Sequence, residues 1–127
     1  MHRILLRTFV LDFPGDVHDA GRDFWAVALD AGIRRGTQDP AYHVLEHPAA
    51  LGRVLVQHLN DGAGRIHLDI EADDIDAEVA RLVGAGAVEV ERIDDWVVLA
   101  DPGDLLFCVV PAVEDEDFAR FAHSVGT

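Results

Sequence analysis

The chain has 127 residues, a length typical of a single domain. Asp and Glu outnumber Lys and Arg by 24 to 10, and the net charge of -14 stays negative even when all seven His residues are protonated. Such a surface repels nucleic-acid backbones and anionic membranes, so we expect neither as a partner. No apolar run reaches the ~18 residues of a membrane span, and no signal-peptide pattern opens the chain. We therefore expect a cytoplasmic protein.

Residue types that are missing exclude several kinds of catalysis. The chain contains no Lys, which excludes a lysine Schiff base. Its only Ser is Ser124, close to the C-terminal end, so a serine nucleophile has no candidate. Cys108 is the only Cys, which excludes an intrachain disulfide and any site built from several cysteines.

The first half of the chain predicts a strand, a helix and further strands. Residues 3–13 are rich in Ile, Leu, Val and Phe and predict a strand that ends at Pro14-Gly15. Asp16 is the predicted N-cap of a helix that runs to about Asp30. Apolar residues at helical spacing predict the face that this helix buries: Val17, Ala20, Phe24, Ala28 and Ala31. Short strands are predicted at 33–36, 42–47 and 53–59, with a turn at 38–40 between the first two.

The second half repeats this order. The segment Arg65–Ala72 alternates strictly and predicts a strand with His67, Asp69 and Glu71 on its polar face. Asp73-Asp74 leads a helix to about Ala85. Three more strands and a short terminal helix are predicted in the rest of the chain, at 87–92, 96–100, 105–110 and 114–123.

This repeat predicts one domain built from two modules. Module one spans about 1–61 and module two about 65–111, followed by the terminal helix at about 114–123. Each module reads as βαβββ. We therefore expect an α+β fold in which both modules form a curved mixed sheet with helices on its outer face.

Several short motifs, in this order, resemble the vicinal oxygen chelate superfamily, which contains the glyoxalase, bleomycin-resistance and dioxygenase proteins. The closest resemblance is to a glyoxalase-like branch of small bacterial proteins of unassigned function. The motifs are Phe9-Val-Leu-Asp-Phe-Pro14, Asp23-Phe-Trp25, Arg65-Ile-His-Leu-Asp-Ile-Glu71, Asp74-Ile-Asp76 and Trp96-Val-Val-Leu-Ala-Asp-Pro-Gly103. The resemblance implies the fold strongly, whereas the superfamily's activities are diverse.

The resemblance also implies where a metal would bind. Its four ligand positions fall at Thr8 (or Val10), Gln57, His67 and Cys108. Only His67 is an ordinary ligand at its expected place, so we predict no tightly bound metal and no cofactor. A shift of one residue in the fourth strand would present His58 instead of Gln57. The set His58, His67 and Cys108 would then suit a divalent metal such as zinc.

Three functions fit these residues. We predict a small-molecule-binding protein whose mainly apolar pocket is lined by Thr8, Gln57, His67, Asp69, Trp96 and Cys108. A second interpretation is a lyase, isomerase or dioxygenase, metal-dependent or using His67 as its catalytic base with Asp69 or Glu71 orienting the imidazole. A third is a non-catalytic interaction subunit. The resemblance further implies a homodimer, and the high negative charge favours an apolar contact between its subunits.

Overall fold

The computed structural model describes residues 1–36, 42–46 and 52–126. The turn expected at 38–40 and the end of the strand expected at 42–47 lie outside these residues. The chain divides into two compact units. Unit 1 comprises Met1–Arg7 and Leu68–Thr127, and unit 2 comprises Thr8–His67.

The described residues form nine strands and three helices. In chain order they are β1 (His2–Pro14), α1 (His18–Ala28), β2 (Gly32–Arg35), β3 (Tyr42–Glu46), β4 (Arg53–Leu59), β5 (Arg65–Ala72), α2 (Ile75–Gly84), β6 (Val88–Ile93), β7 (Trp96–Ala100), β8 (Leu106–Pro111), α3 (Glu116–Phe121) and β9 (His123–Val125). The predicted order of helices and strands is confirmed, and β9 is an addition that the sequence did not predict.

Unit 2 is a βαβββ module with strand order β2-β3-β4-β1. The end of β1 pairs in parallel with β4, while β3 is antiparallel to both β4 and β2. The helix α1 covers one face of this sheet. There Leu11, Leu45 and Val56 pack with Ala26 of the helix in a core.

Helix α1 differs from its prediction at its start and on its buried face. It begins at His18 after Val17, which makes no side-chain capping bond, so the expected cap at Asp16 is wrong. The buried residues of the helix are His18 and Ala26, whereas Val17 and Phe24 of the predicted stripe are 44% and 63% exposed. Apolar residues lie on both sides of this short helix, and tertiary packing selected the side that carries His18.

Unit 1 contains a second βαβββ module, with strand order β5-β8-β7-β6. Its first and last strands, β5 and β8, again pair in parallel, and the others pair antiparallel. Helix α2 packs Val79 against Val97, Leu99 and Val109. The Asp74 side chain accepts a hydrogen bond of 3.0 Å from the Ala77 backbone N–H, which confirms the N-terminal cap predicted for this helix.

The helix in the C-terminal segment of unit 1 is shorter than predicted. Helix α3 spans Glu116–Phe121, and the Asp115 side chain accepts the Phe118 N–H at its start. The chain then turns extended, and β9 pairs antiparallel with the first residues of β1. Hydrogen bonding to an open strand edge replaces the last turn that the sequence predicted.

The predicted fold class, α+β with two βαβββ modules, is confirmed. The sheet of each module is mixed, and a helix packs on one of its faces. Among the described helices, none combines the length and the apolar character that a membrane span needs.

Candidate functional site

The face of the unit 2 sheet opposite α1 carries polar and apolar rows of side chains. Paired residues on neighbouring strands point to the same face, so the strand register shows which side chains form each row. One row joins Tyr42 of β3, Gln57 of β4 and Asp12 of β1. The next row joins Val44, Leu55 and Val10 in the same way.

His67 extends the polar row through a hydrogen bond to Asp12. His67 Nδ1 lies 2.5 Å from Asp12 Oδ2, and the two side chains are 13% and 5% exposed. A carboxylate only accepts, so the Nδ1 proton is donated to Asp12 and the lone pair of neutral His67 lies on Nε2. The Arg65 Nε is 3.9 Å from the same carboxylate oxygen and adds a positive charge beside it.

Asp12 is the residue of this site that the sequence analysis missed. It is 4% exposed on a strand whose neighbours Val10 and Leu11 are also buried. The sequence does contain a signal for Asp12, because it is the one charged residue in the otherwise apolar run of residues 9–13. Burying an isolated carboxylate is costly, so such a residue predicts a partner with a positive charge or a hydrogen-bond donor.

Glu71, one of the two carboxylates expected to orient His67, has another role in unit 1. Glu71 is held by the Arg7 guanidinium, with Nε at 2.6 Å and Nη2 at 3.0 Å from its two oxygens. The Val113 backbone N–H also donates to Glu71 Oε1 at 2.8 Å. Asp69 lies on the same face of β5 and is the register partner of Cys108 on β8. Asp12 is therefore in position to orient His67, whereas Glu71 is part of a structural ion pair.

The remaining predicted pocket residues are divided between the units. In unit 2, Thr8 is buried and shares the face of Val10 and Asp12. In unit 1, Cys108 is buried and pairs with Val98 of β7. Trp96 precedes Val98 by two residues and is half-buried on that same face, opposite α2. The predicted residues thus occupy the helix-free faces of their own sheets.

The register of β4 places Gln57 and His58 on opposite faces of the sheet. Gln57 pairs with Asp12 and shares its face, whereas His58 pairs with Phe13 on the face that α1 covers. The His58 ring stacks on the His18 ring with 3.7 Å between centroids. The alternative metal set with His58, His67 and Cys108 is therefore not assembled, because a strand presents consecutive side chains to opposite faces.

The metal positions implied by the resemblance supply poor ligands. Thr8 offers a hydroxyl and Val10 no donor atom, while Gln57 offers a neutral amide. His67 donates its Nδ1 proton to Asp12, so its ligand atom would be Nε2. Thr8, Val10 and Gln57 do not fit the four-ligand metal centre, and no reaction step through a metal follows from them.

A family model and one solved structure agree with this fold. A family model described as a glyoxalase-like domain matches residues 8–110. Methylmalonyl-CoA epimerase from Mycobacterium tuberculosis is 17% identical with a TM-score of 0.60, over 84% of this chain and 87% of that one. A glyoxalase I mutant from Zea mays is 13% identical with a TM-score of 0.31, over 83% of this chain and 45% of that one. No curated protein matches the sequence.

Proposed function

The chain belongs to the glyoxalase-like domain family of the vicinal oxygen chelate superfamily, and we propose that it binds a small organic molecule against the helix-free face of unit 2. The observation that carries the proposal is the Asp12–His67 hydrogen bond beside an apolar row. A small-molecule site needs apolar contact area and a few fixed polar groups, and these adjacent rows supply both. The family relationship shows the fold, and the function rests on these residues.

The arrangement favours a ligand with one polar end. The Gln57 amide can donate to a carbonyl group and the His67 Nε2 can accept from a hydroxyl group, while Val10 and Leu55 contact an apolar body. The net charge of -14 disfavours a phosphorylated ligand and favours a neutral or cationic one. The Asp12 carboxylate fixes the imidazole orientation, which lowers the entropy lost on binding.

A thermal-shift screen of neutral and cationic metabolites tests this proposal. A ligand that binds only the folded protein raises the melting temperature by an amount set by its concentration over its Kd. We expect stabilisation of wild type and its loss in His67→Ala and Gln57→Ala. The matched control His123→Ala changes an exposed histidine of unit 1 and should keep the response. Failure of every compound to stabilise wild type would contradict binding and favour an interaction subunit.

Proton transfer by His67 is the second candidate function. A buried carboxylate on Nδ1 is the arrangement that holds a histidine as a general base through Nε2. Asp12→Asn places an amide beside the imidazole, and its N–H2 group favours the opposite tautomer. We expect carbon acids with a proton next to a carbonyl to exchange deuterium in wild type. The rate should fall by about 10⁴ in Asp12→Asn, and an unchanged rate would exclude this role.

The metal-dependent form of this reaction needs a separate measurement. Zinc, nickel or iron near one equivalent per chain in protein purified without a tag, and lost in His67→Ala, would contradict our prediction of a metal-free site.

We also propose a homodimer. The sequence favours an apolar contact, and α1 exposes Phe24 and Val27 at 63% and 83%. Light scattering that returned the monomer mass of 13.9 kDa would contradict it.

A further inference from the structure

Three histidines of unit 2 gather on the face that α1 covers, opposite the Asp12–His67 pair. His18 is the first residue of α1 and is 1% exposed. The His58 ring stacks on it with an interplanar angle of 9°. The His43 ring of β3 lies 5.5 Å from the His18 ring between centroids, tilted by 46°. Neither ligand binding nor proton transfer at His67 uses this cluster.

Two ring nitrogens of the cluster, His18 Nε2 and His43 Nδ1, are buried and have no hydrogen-bond partner among the residues that the structure describes. Leaving a buried polar atom without a partner costs about 1–3 kcal/mol. Folded proteins supply partners to the large majority of such atoms. Two of them on adjacent rings therefore point to a bound group, and a metal ion would accept an electron pair from each neutral ring.

The protonation of His18 suits such a group. The Asp19 Oδ1 lies 2.9 Å from His18 Nδ1 and accepts its proton, so the lone pair of the neutral ring is on Nε2. A carboxylate on the far nitrogen is the usual support of a metal-binding histidine. With Zn–N bonds of about 2.0–2.1 Å, two imidazoles on one tetrahedral ion have centroids roughly 5 Å apart. The His18–His43 separation of 5.5 Å is close to this value.

We propose that His18 Nε2 and His43 Nδ1 bind a divalent ion of the zinc type, with water completing the coordination. His58 supports the His18 ring by stacking and is not a ligand. The ion would fix the start of α1 against β3.

Two carboxylates of α1 pair with Arg22, a cationic side chain of the same helix. Asp19 and Asp23 lie 3.4 and 2.9 Å from the Arg22 guanidinium and compensate its charge.

Calorimetric titration with zinc chloride tests the site in the double variant His67→Ala, Cys108→Ser, which removes the other imidazole and thiol that could compete. We expect about one zinc per chain. His43→Gln and His18→Gln should each weaken binding about tenfold or more. His58→Phe keeps a stacked ring and should leave the affinity unchanged. Far-UV circular dichroism verifies folding, and the half-buried His43 provides the decisive variant if His18→Gln unfolds.

Long-range ¹H–¹⁵N spectra identify the atoms that bind. Zinc should shift His18 Nε2 and His43 Nδ1 and leave the nitrogens of His123 in place. The absence of zinc binding in the double variant would overturn the proposal. So would loss of binding in His58→Phe with full binding in His43→Gln.

Discussion

The two βαβββ modules share a strand order and differ in how they treat buried carboxylates. In unit 1, an arginine is paired with each buried glutamate, Arg7 with Glu71 and Arg81 with Glu78, and His2 is a further partner of Glu78. In unit 2, Asp12 is paired with His67. An arginine stays charged at every accessible pH, so its pairs are permanent parts of the fold. A histidine gains and loses its proton near neutral pH, so the Asp12 pair can support binding or proton transfer.

The helices of the two units also differ, in their N-terminal caps and in the residues that they bury. Helix α2 has an Asp74 cap and buries Val79 in its core. Helix α1 has no side-chain cap and buries His18 at its first residue. Unit 1 therefore follows the local rules for a stable helix more closely, and departures from those rules concentrate where we propose function.

The largest expected effect concerns the permanent ion pairs. Glu71→Ala removes the buried carboxylate partner of Arg7, which is 10% exposed and keeps Asp115 as its other carboxylate at 2.9 Å. The change also removes the acceptor of the Val113 N–H. Removing one partner of a buried pair costs about 3–5 kcal/mol of unfolding free energy. Urea unfolding measures this loss. The matched control is Arg92→Ala, whose pairs with Asp76 and Glu89 are exposed and contribute only about 0–1 kcal/mol. Equal losses of unfolding free energy in Glu71→Ala and Arg92→Ala would contradict the distinction between buried and exposed ion pairs.

Removing the side chains predicted to cap α1 and α2 should change the unfolding free energy by smaller amounts, which again differ between the units. Asp74→Ala removes the bond to the Ala77 N–H and should lower the unfolding free energy by about 1 kcal/mol. Asp16→Ala should leave it within about 0.5 kcal/mol, because no side chain caps α1. Urea unfolding under identical conditions compares the two variants, and a larger loss in Asp16→Ala would reverse the comparison.

Acid should destabilise the two units in different pH ranges. The pKa of His43 is lowered from 6.5 by burial first, so the unfolded chain takes up its proton more readily. This contribution to stability is complete above pH 6.5 and is lost as the pH falls through the pKa of the folded state. Melting temperatures of His43→Gln should therefore depend less on pH just below 6.5, in buffers without divalent metals. An unchanged pH dependence would contradict this role.

Glu78 should act at lower pH in unit 1. Burial raises its pKa, but hydrogen bonds from Arg81 and His2 outweigh burial and leave the pKa below 4.5. Its contribution is complete above pH 4.5 and is lost as the pH falls through the pKa of the folded state. Glu78→Gln should flatten the melting profile only in that acidic range. The opposite pattern, with Glu78→Gln flattening the profile near pH 6, would refute the assignment.

The smallest expected effect concerns the exposed side of α1. Phe24 is 63% exposed, so Phe24→Ser should change the unfolding free energy of the monomer by no more than about 0.5 kcal/mol. If the proposed dimer uses this side, the same variant should shift the mass toward 13.9 kDa in light scattering. A large loss of monomer stability would show that Phe24 is packed as the sequence predicted.

Much of each module could be predicted from the sequence because its signals are local. The alternation in β5 placed His67 and Asp69 on one face, and Asp74 marked the start of α2. Such patterns depend on residues a few positions apart, whose geometry is set by the helix or strand itself. The family resemblance also rested on short motifs of this kind.

The partners within the site were decided only by tertiary structure. Asp12 and His67 are 55 residues apart, and Arg7 is 64 residues from Glu71. Asp69 and Glu71 were the local candidates to orient His67 because their carboxylates lie on the same face of β5. A buried charge is stabilised by whichever complementary group the strand register brings within hydrogen-bond distance, and a one-residue change of register reverses the face. That register placed Gln57 beside Asp12 and turned His58 towards His18.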